Sequence, residues 1–291
     1  MEFNLGTLQQ WIGKTECAED RISSLPLRAL AATLDRDEPS LERGDEAPPA
    51  WHWLHFLPVC QQSNLGPDGH PHRGGFLPPV PLPRRMWAGS RLEFLHPLRL
   101  GEPVSKTSRV INVSGKQGRT GPLVFVRVRH EIANSAGGLA LIEEQDIVYR
   151  DRPKPGEWSA TQGRTAGAQH QWMREIQPDA PLLFRYSALT FNAHRIHYDR
   201  PYAMEVEGYP GLVVHSPLIA SLLLDLLHEN VPEAEVGEFA FRAVKPTFDV
   251  TPFVLCGQRE GDLKTVHLWA CHLDGTIAME ATAILRVFPE S

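Results

Sequence analysis

Two histidines lie three residues apart in a polar stretch of the chain, at His194 and His197, with Asn192 before them and Asp199 after them. Histidine exchanges protons near neutral pH, whereas a carboxamide only donates and accepts hydrogen bonds. This combination is typical of general acid–base catalysis, with His197 as the titrating group. Asn192 can position a water molecule, but it cannot carry a proton.

The same stretch permits two other interpretations. Zinc could be held by His194 and His197 together with Asp199 or His215, but the H-E-x-x-H pattern is absent and no cysteine lies nearby, so we expect no metal. Alternatively, the polar side chains merely cap the next helix. The chain also lacks a G-x-S-x-G elbow and a glycine-rich nucleotide fingerprint, which argues against serine hydrolases and dinucleotide-dependent enzymes.

A buried helix is predicted just after the polar stretch. Residues 212–227 are rich in leucine and isoleucine with few polar breaks, which indicates a helix that is apolar almost all round. Unpaired backbone N–H groups and the positive end of the helix dipole favour negative charge at its amino end. Gly211, which would allow close approach, and His215 and Ser216 are therefore candidate substrate contacts.

The chain contains an internal repeat. Residues 94–97 are followed six residues later by Pro103, and residues 243–246 are followed six residues later by Pro252. A second matching pair consists of residues 138–143 and 275–280. Short segments rich in β-branched and aromatic residues, at 123–129 and 265–269, are predicted strands. The extra residues of the first copy fall at 114–121, where a polar loop is predicted.

These patterns predict an α+β chain made of two units. We expect the units at residues 1–150 and 172–291, joined by a linker at 151–171 that is rich in proline and glycine. Each unit is expected to be a long helix wrapped by a curved antiparallel sheet. The proline-rich region at 48–83 is expected to be an irregular loop that includes a helix-like aromatic segment at 50–56.

The stretch at 192–199 resembles the motif of the MaoC-like, or hydratase-2, members of the hot-dog fold. That motif runs aspartate, any residue, asparagine, proline, an aliphatic residue, histidine, any residue, aspartate; His197 and Asp199 match it, whereas Asn192, His194 and Arg195 depart from it. With these departures, and with the strings at 186–197, 209–215 and 83–89, the sequence is similar to one branch of this family. It contains the mitochondrial hydroxyacyl-thioester dehydratases and the bacterial mesaconyl-CoA and itaconyl-CoA hydratases.

The resemblance implies a double hot-dog enoyl-CoA hydratase, a hydro-lyase with coenzyme A as part of its substrate and no other cofactor. Adding water to a conjugated thioester needs a base, an acid and donors for the enolate oxygen. We expect His197 to serve as base or acid, oriented by Asp199 or assisted by His194. The expected reaction takes itaconyl-CoA or mesaconyl-CoA to citramalyl-CoA.

Basic residues are needed for a substrate of this kind. Arg195 is expected to clamp a free carboxylate, because its planar guanidinium matches a carboxylate and it lies inside the motif. Arg84 and Arg85 with Trp87 are expected to flank the acyl pocket or bind phosphate, although a solvated surface pair explains the arginines nearly as well. The first unit has no counterpart of the histidine motif, so it is expected to shape the pocket.

Three rival functions remain open from the residues. They are a hydroxyacyl-carrier-protein dehydratase of fatty-acid synthesis, a hot-dog thioesterase, and an acyl-CoA-binding protein without catalysis. A homodimer is an open alternative to a monomer.

Composition excludes several other classes. The chain has 291 residues, a formal net charge of −6 and 42% hydrophobic residues, which is typical of a globular protein and argues against binding to nucleic acid or anionic membranes. No apolar run approaches the roughly 20 residues of a membrane span. The start of the sequence lacks the pattern of a signal peptide, so a cytoplasmic location is expected. Four cysteines without a C-x-x-C pair are predicted to be inert thiols.

Overall fold

The strands of the molecule form one large antiparallel sheet. The computed structural model describes residues 4–36, 41–118, 121–152, 163–167 and 169–286. Within them, ten strands are ordered β1-β3-β4-β5-β2-β7-β10-β9-β8-β6 across the sheet. Their bounds are β1 Thr15–Arg21, β2 Arg84–Phe94, β3 Pro103–Gly118, β4 Gly121–Ala133, β5 Leu139–Arg150, β6 Trp172–Ile176, β7 Val236–Ala243, β8 Phe253–Arg259, β9 Thr265–His272 and β10 Ile277–Leu285.

The strand order repeats between the two halves of the chain. The first five strands are ordered β1-β3-β4-β5-β2, and the second five follow the equivalent order β6-β8-β9-β10-β7. The two halves meet where β2 pairs with β7, from Gly89 opposite Arg242 to Glu93 opposite Glu238. This arrangement agrees with the predicted α+β fold of two repeated units, and the strands predicted at 123–129 and 265–269 lie within β4 and β9.

Four α-helices accompany the sheet in the described part of the chain. They are α1 Leu5–Gln9, α2 Ser24–Thr33, α3 Ala180–Leu189 and α4 Ser216–Asn230. Helix α4 is the buried helix predicted from the sequence, but it begins at Ser216 rather than at 212, because residues before Ser216 pair with other loops. Its leucines are buried against β2, β6, β8, β9 and β10. None of the described helices is long and apolar enough to cross a membrane.

Among its described residues, the first unit has no long helix equivalent to α4, contrary to the expectation for each unit. In its place are the 3-10 turns Trp51–Leu54 and Gln62–Asn64 within an otherwise irregular segment up to β2. Prolines at 48, 49 and 58 flank the first turn, and a proline lacks the N–H that a continuing helix needs. The irregular loop predicted at 48–83 is thus confirmed.

Two other predicted loops have different outcomes. The polar loop predicted at 114–121 is wrong, because β3 and β4 continue through most of it and pair as far as Gly118 opposite Gly121. Their extension lengthens the sheet instead of interrupting it. Of the predicted linker at 151–171, residues 153–162 and 168 lie outside the described residues, while Thr165 forms an isolated bridge with Thr276. Cys256 and Cys271 are buried, Cys17 is exposed, and all four cysteines are free.

The join between the two units depends on a glycine. A β-carbon on Gly89 would lie 2.3 Å from the backbone oxygen of Phe241 on the neighbouring strand. That atom belongs to the sheet backbone, so it cannot move aside as a flexible side chain would. The close approach of β2 to β7 therefore requires the absence of a side chain at this position.

We expect the substitution Gly89→Ala to lower the free energy of unfolding by about 2 kcal/mol, the typical cost of forcing extra volume into a packed interior. The measurement is urea unfolding followed by circular dichroism. The matched control is Gly261→Ala, where an added β-carbon meets nothing within 4 Å. Equal unfolding midpoints for the two variants would contradict the requirement for glycine at the join.

Candidate active site

A cavity of about 1020 Å³ lies between the two units. The second unit contributes the polar stretch and the start of α4, and the first unit contributes β2 and the irregular loop. Of the residues predicted for the site, those that line the cavity are Arg85, Trp87, Asn192, His194, His197, His215 and Ser216. Arg84, Arg195, Asp199 and Gly211 are not among its lining residues.

His197 is buried, with 8% of its surface exposed, in the 3-10 turn Arg195–His197. Its Nδ1 lies 2.7 Å from the backbone oxygen of Val213, and the N–H of Val213 donates to the oxygen of Ile196 at 2.9 Å. Because a carbonyl only accepts, Nδ1 carries the hydrogen and Nε2 is left as a proton acceptor. Burial lowers the pKa of His197 to about 4, although the bond to Val213 opposes this shift. The ring is therefore a neutral base at neutral pH.

His215 stands at the amino end of α4, as the sequence predicted. Its ring stacks on that of His197, with 3.6 Å between centroids and an interplanar angle of 17°. The Nε2 atom lies 2.9 Å from Oγ of Ser187 on α3. Burial first, and the nearby His197 second, hold the pKa of His215 well below its usual value. Ser216 follows as the first residue of α4 and also lines the cavity.

His194 also lies in the group, beside a histidine that the sequence analysis did not single out. The ring centroid of His194 is 5.3 Å from that of His197 and 4.1 Å from that of His70. Nδ1 of His70 is in turn 3.1 Å from Oδ2 of Asp68. We call His70, His194, His197 and His215 the histidine row. His70 lies in the proline-rich region that the sequence predicts to be an irregular loop. The only pattern there that could have pointed to His70 is the glycine between it and Asp68.

Asp199 and Arg195 do not have the predicted roles. The guanidinium of Arg195 donates from Nε at 2.9 Å and from Nη2 at 2.7 Å to Oδ2 of Asp199, and it lies over the ring of Tyr202. Oδ1 of Asp199 accepts from the N–H of Tyr202 at 3.1 Å. Asp199 thus fixes the turn after the motif instead of orienting His197, which is held by Val213. Arg195 is an internal partner of this carboxylate, so the predicted clamp on a substrate carboxylate must be corrected.

Two further predictions of substrate contacts are also corrected by the packing. Arg84 is buried and pairs with Glu207, with 2.6 Å between Nε and Oε2. Its guanidinium also lies over the ring of Tyr209. A buried, paired arginine holds parts of the fold together and is not available to phosphate. Gly211 is buried against Asp249 and does not line the cavity; a β-carbon on it would be 2.6 Å from Oδ1 of that aspartate.

The remaining predicted residues line the cavity without a demonstrated role. Oδ1 of Asn192 accepts from the N–H of His194 at 3.0 Å, so this side chain shapes the turn that carries the histidines. Nε1 of Trp87 donates to Oγ of Ser90 at 2.9 Å. The ring of Trp87 packs edge-on against Trp53 from the aromatic segment of the first unit, at 5.3 Å. Positioning of water by Asn192 and phosphate binding by Arg85 stay predictions.

A second polar cluster lies in the wall that belongs to the first unit. The carboxylate of Glu143 is buried and accepts hydrogen bonds from Nε1 of Trp53 at 3.0 Å and from Oγ of Ser90 at 2.6 Å. Nε2 of His52 lies 3.1 Å from the same group. Burial would raise the pKa of Glu143, but the hydrogen bond and charge of His52, with the charge of His130 and the hydrogen bond of Ser90, outweigh it and lower the pKa to about 2. The carboxylate is therefore ionised and satisfied by its neighbours.

The described residues contain one group with the proximity of a metal site. Ligand atoms of Asp68, His70 and His194 all lie within 4.8 Å of one another. Asp68 and His70 are hydrogen-bonded to each other, and the positive charge of Arg85 acts on both of them and on His194. A nearby cation opposes the binding of a second one. Activity without a metal stays a prediction.

The family of the chain follows from comparison with known proteins. The sequence profile of hydroxyacyl-thioester dehydratase type 2 matches residues 50–249. The chain belongs to this family. It is 48% identical over 275 residues to the mesaconyl-C(4)-CoA hydratase of Chloroflexus aurantiacus, covering 94% of this chain and 96% of that relative. It is also 28% identical to the mitochondrial hydroxyacyl-thioester dehydratase type 2 of Schizosaccharomyces pombe. That match covers 84% of this chain and 90% of that relative.

Solved structures agree on the fold of this hydroxyacyl-thioester dehydratase type 2 member. A MaoC-like dehydratase superposes with a TM-score of 0.71 at 14% identity, covering 97% of this chain and all of that chain. A Mycobacterium tuberculosis protein with a double hotdog fold superposes with a TM-score of 0.58 at 14% identity, covering 94% and 96%. The predicted double hot-dog fold is confirmed, and the chain is a hydro-lyase of the MaoC-like type.

The low pKa of His197 makes stability depend on pH. The unfolded chain binds a proton at this residue near pH 6.5, whereas the folded chain binds it only near pH 4, so stability falls as the pH decreases between these values. From pH 7.5 to pH 5, we expect the wild type to lose about 2 kcal/mol more free energy of unfolding than His197→Gln does. Urea unfolding at both pH values measures this difference. Parallel losses in the two proteins would show that His197 is not buried as a neutral ring.

Proposed function

We propose that the chain adds water to the C4 thioester of mesaconate and forms citramalyl-CoA. The observation that carries this proposal is a neutral His197 in a cavity between the two units, with Nδ1 engaged by Val213 and Nε2 as the remaining proton acceptor. The near full-length relative that is named mesaconyl-C(4)-CoA hydratase supports this choice of substrate. The general activity, that of a hydro-lyase, is a property of the family.

The proposed reaction joins hydroxide to the β-carbon and a proton to the α-carbon of the double bond. The electron pair of the double bond moves toward the thioester oxygen, and an enolate forms between the two steps. His197 carries one of the two proton transfers through Nε2, because its other ring nitrogen is bonded to Val213. Removing such a group typically lowers the rate by about 10²–10⁴-fold.

The amino end of α4 is the proposed binding site for the enolate oxygen. Ser216, the first residue of α4, lines the cavity at this end, and the first N–H groups of a helix have no partner within it. Pro217 also lines the cavity but has no N–H, so the donors are those of the other residues in the first turn. The positive end of the helix dipole adds to the attraction for a developing negative charge. The segment that leads into α4 is held in place on both sides, since Val214 donates to the oxygen of Thr247 at 2.8 Å and Val213 bonds to Ile196.

Arg85 is the proposed partner of the free carboxylate of the substrate. In mesaconyl-C4-CoA this carboxylate is attached to the β-carbon, so its partner must lie close to the reacting groups. Arg85 lines the cavity, and its charge acts on His70 and His194. Arg195, the original candidate, is engaged with Asp199.

We expect His197→Gln to lower kcat for mesaconyl-C4-CoA by about 10²–10⁴-fold, because the variant has no titrating group at that position. The measurement follows the gain of one water by mass spectrometry. The matched control is His228→Gln, which changes a histidine near the far end of α4. Full turnover by His197→Gln would overturn the proposal, and so would the absence of water addition by the wild type.

We expect Arg85→Met to raise KM for mesaconyl-C4-CoA by about 10- to 100-fold, the usual value of a hydrogen bond to a charged group. KM for crotonyl-CoA, which has no second carboxylate, is expected to stay unchanged. Arg91→Met is the control, because Arg91 is 46% exposed and pairs with Glu144 on the outer surface. An equal effect of Arg85→Met on both substrates would assign this arginine to the coenzyme A portion.

The same assays separate the rival functions. Faster hydration of itaconyl-CoA than of mesaconyl-C4-CoA would favour itaconyl-CoA as the substrate. The double bond of that isomer must first move into conjugation with the thioester, and a proton carrier such as His197 can also perform this step. Activity on medium-chain enoyl thioesters would favour a dehydratase of fatty-acid synthesis. Release of free thiol without hydration would indicate a thioesterase, and binding without turnover would indicate an acyl-CoA-binding protein.

We also propose a cytoplasmic location, which is supported by the four free cysteines because a reducing compartment keeps thiols free. Assembly as a homodimer stays a prediction, to be read from the mass in solution by light scattering.

A further inference from the structure

The proposed hydration needs two proton transfers, and in the polar stretch at 192–199 the ring that a hydrogen bond orients toward the cavity chemistry is that of His197. His197 can carry one of them. Asn192 cannot titrate, and Asp199 is occupied by Arg195 and by the N–H of Tyr202. His194 also lines the cavity, and its ring lies between those of His70 and His197, at 4.1 Å and 5.3 Å between centroids, which suits it to passing a proton from one to the other. A second acid–base group with an oriented ring is found outside this stretch.

The loop of the first unit contains a carboxylate–imidazole pair beside it. Oδ2 of Asp68 lies 3.1 Å from Nδ1 of His70, and Oδ1 of Asp68 accepts from the backbone N–H of His70 at 3.0 Å. An ionised carboxylate only accepts hydrogen bonds, so Nδ1 of His70 carries the hydrogen and Nε2 becomes the proton acceptor. His70 lines the same cavity as His197.

The loop is fixed against the polar stretch by its backbone. The N–H of Arg195 donates to the oxygen of Asp68 at 2.9 Å, and Nη1 of Arg195 donates to the oxygen of Pro67 at 3.0 Å. Gly69 has a φ of +86°, and a β-carbon there would lie 1.8 Å from the oxygen of Ala193. This position therefore requires glycine, and the close backbone approach with the two hydrogen bonds places the pair beside the histidines.

We propose that His70, oriented by Asp68, is the second catalytic acid–base group of this site. This inference rests on the proposed hydratase function. Nε2 of His70 removes a proton from water while the oxygen bonds to the β-carbon and the electron pair of the double bond moves to the thioester oxygen. The resulting imidazolium passes a proton to His194, which contacts both rings, and His194 passes one to Nε2 of His197. His197 then protonates the α-carbon, so all three rings end neutral.

The charges around His70 suit a base that begins the reaction unprotonated. Burial lowers the pKa of His70 to about 4, and the positive charges of Arg85 and Arg73 act in the same direction. Asp68 opposes these effects through its hydrogen bond and its charge. Asp68 therefore stabilises the imidazolium that forms after proton transfer. It acts through His70 and is a positioning residue.

The test uses the full chain and mesaconyl-C4-CoA, with the wild type measured first. His70→Gln is expected to lower kcat by about 10²–10⁴-fold with little change in KM. Asp68→Asn, which preserves the shape of the side chain, is expected to cause a smaller loss. It should also move the acidic limb of the rate profile to lower pH, because the remaining histidine loses the partner that raises its pKa. His96→Gln, which changes an exposed histidine outside the cavity lining, is the control.

A second measurement separates the two catalytic histidines. Citramalyl-CoA in D₂O exchanges its α-hydrogens if a base reaches the α-carbon. We expect His70→Gln to retain this exchange within about tenfold of the wild-type rate while losing hydration, and His197→Gln to lose both.

Three outcomes have distinct meanings. Wild-type turnover and an unshifted pH profile in both His70→Gln and Asp68→Asn would overturn the inference while leaving the hydratase function intact. Loss of exchange in His70→Gln to the same degree as in His197→Gln would overturn the assignment of His70 to the water. A wild type that adds no water to the thioester would refute the proposed function and this inference with it. Melting temperatures of all variants confirm that the folded protein is being compared.

Discussion

The pairing of β2 with β7 fixes the relation between the two units, and the geometry of the site depends on it. This pairing makes one ten-stranded sheet out of two five-stranded halves, with Gly89 allowing the strands to approach. Arg85 and Trp87 lie on β2 just before the join and enter the cavity that the histidines of the second unit also line. The continuous hydrogen-bonded ladder across β2 and β7 ties together the walls that the two units contribute to the cavity.

Desolvation then determines the chemistry available in this cavity. Taking an imidazole out of water disfavours its charged form, so the pKa values of all four members of the histidine row lie below the ordinary value. The rings are consequently proton acceptors at neutral pH and not cations. Three of the four are given a direction by a neighbour: the oxygen of Val213 for His197, Ser187 for His215 and Asp68 for His70. Burial keeps these rings neutral, and their hydrogen-bond partners decide which ring nitrogen accepts a proton. Similar side chains can therefore take different roles in the site.

The charged residues of the motif stabilise the structure, because they form an ion pair with one another. Arg195 pairs with Asp199 and holds the loop of the first unit, while Arg84 pairs with Glu207 beneath the surface. An arginine with five donors can satisfy several acceptors at once, which makes it suited to fixing loops as well as to binding substrates. Adjacency in sequence to a reacting histidine therefore did not distinguish a substrate contact from a structural ion pair.

The sequence by itself determined the two-unit α+β architecture, the buried helix, the position of His197 and the family, because each is encoded in local periodicity, in a repeat or in a contiguous string. The long proline-rich segment was also recognisable as irregular. Its contribution of Asp68 and His70 to the cavity was not, since these residues are about 130 positions from His197 in the chain and local patterns do not report on such contacts. Only the tertiary structure decided that Val213 orients His197, that Asp199 pairs with Arg195, and that Arg84 and Gly211 are buried away from the cavity lining. Those outcomes depend on which side chains meet after the sheet closes, and packing, not composition, decides that.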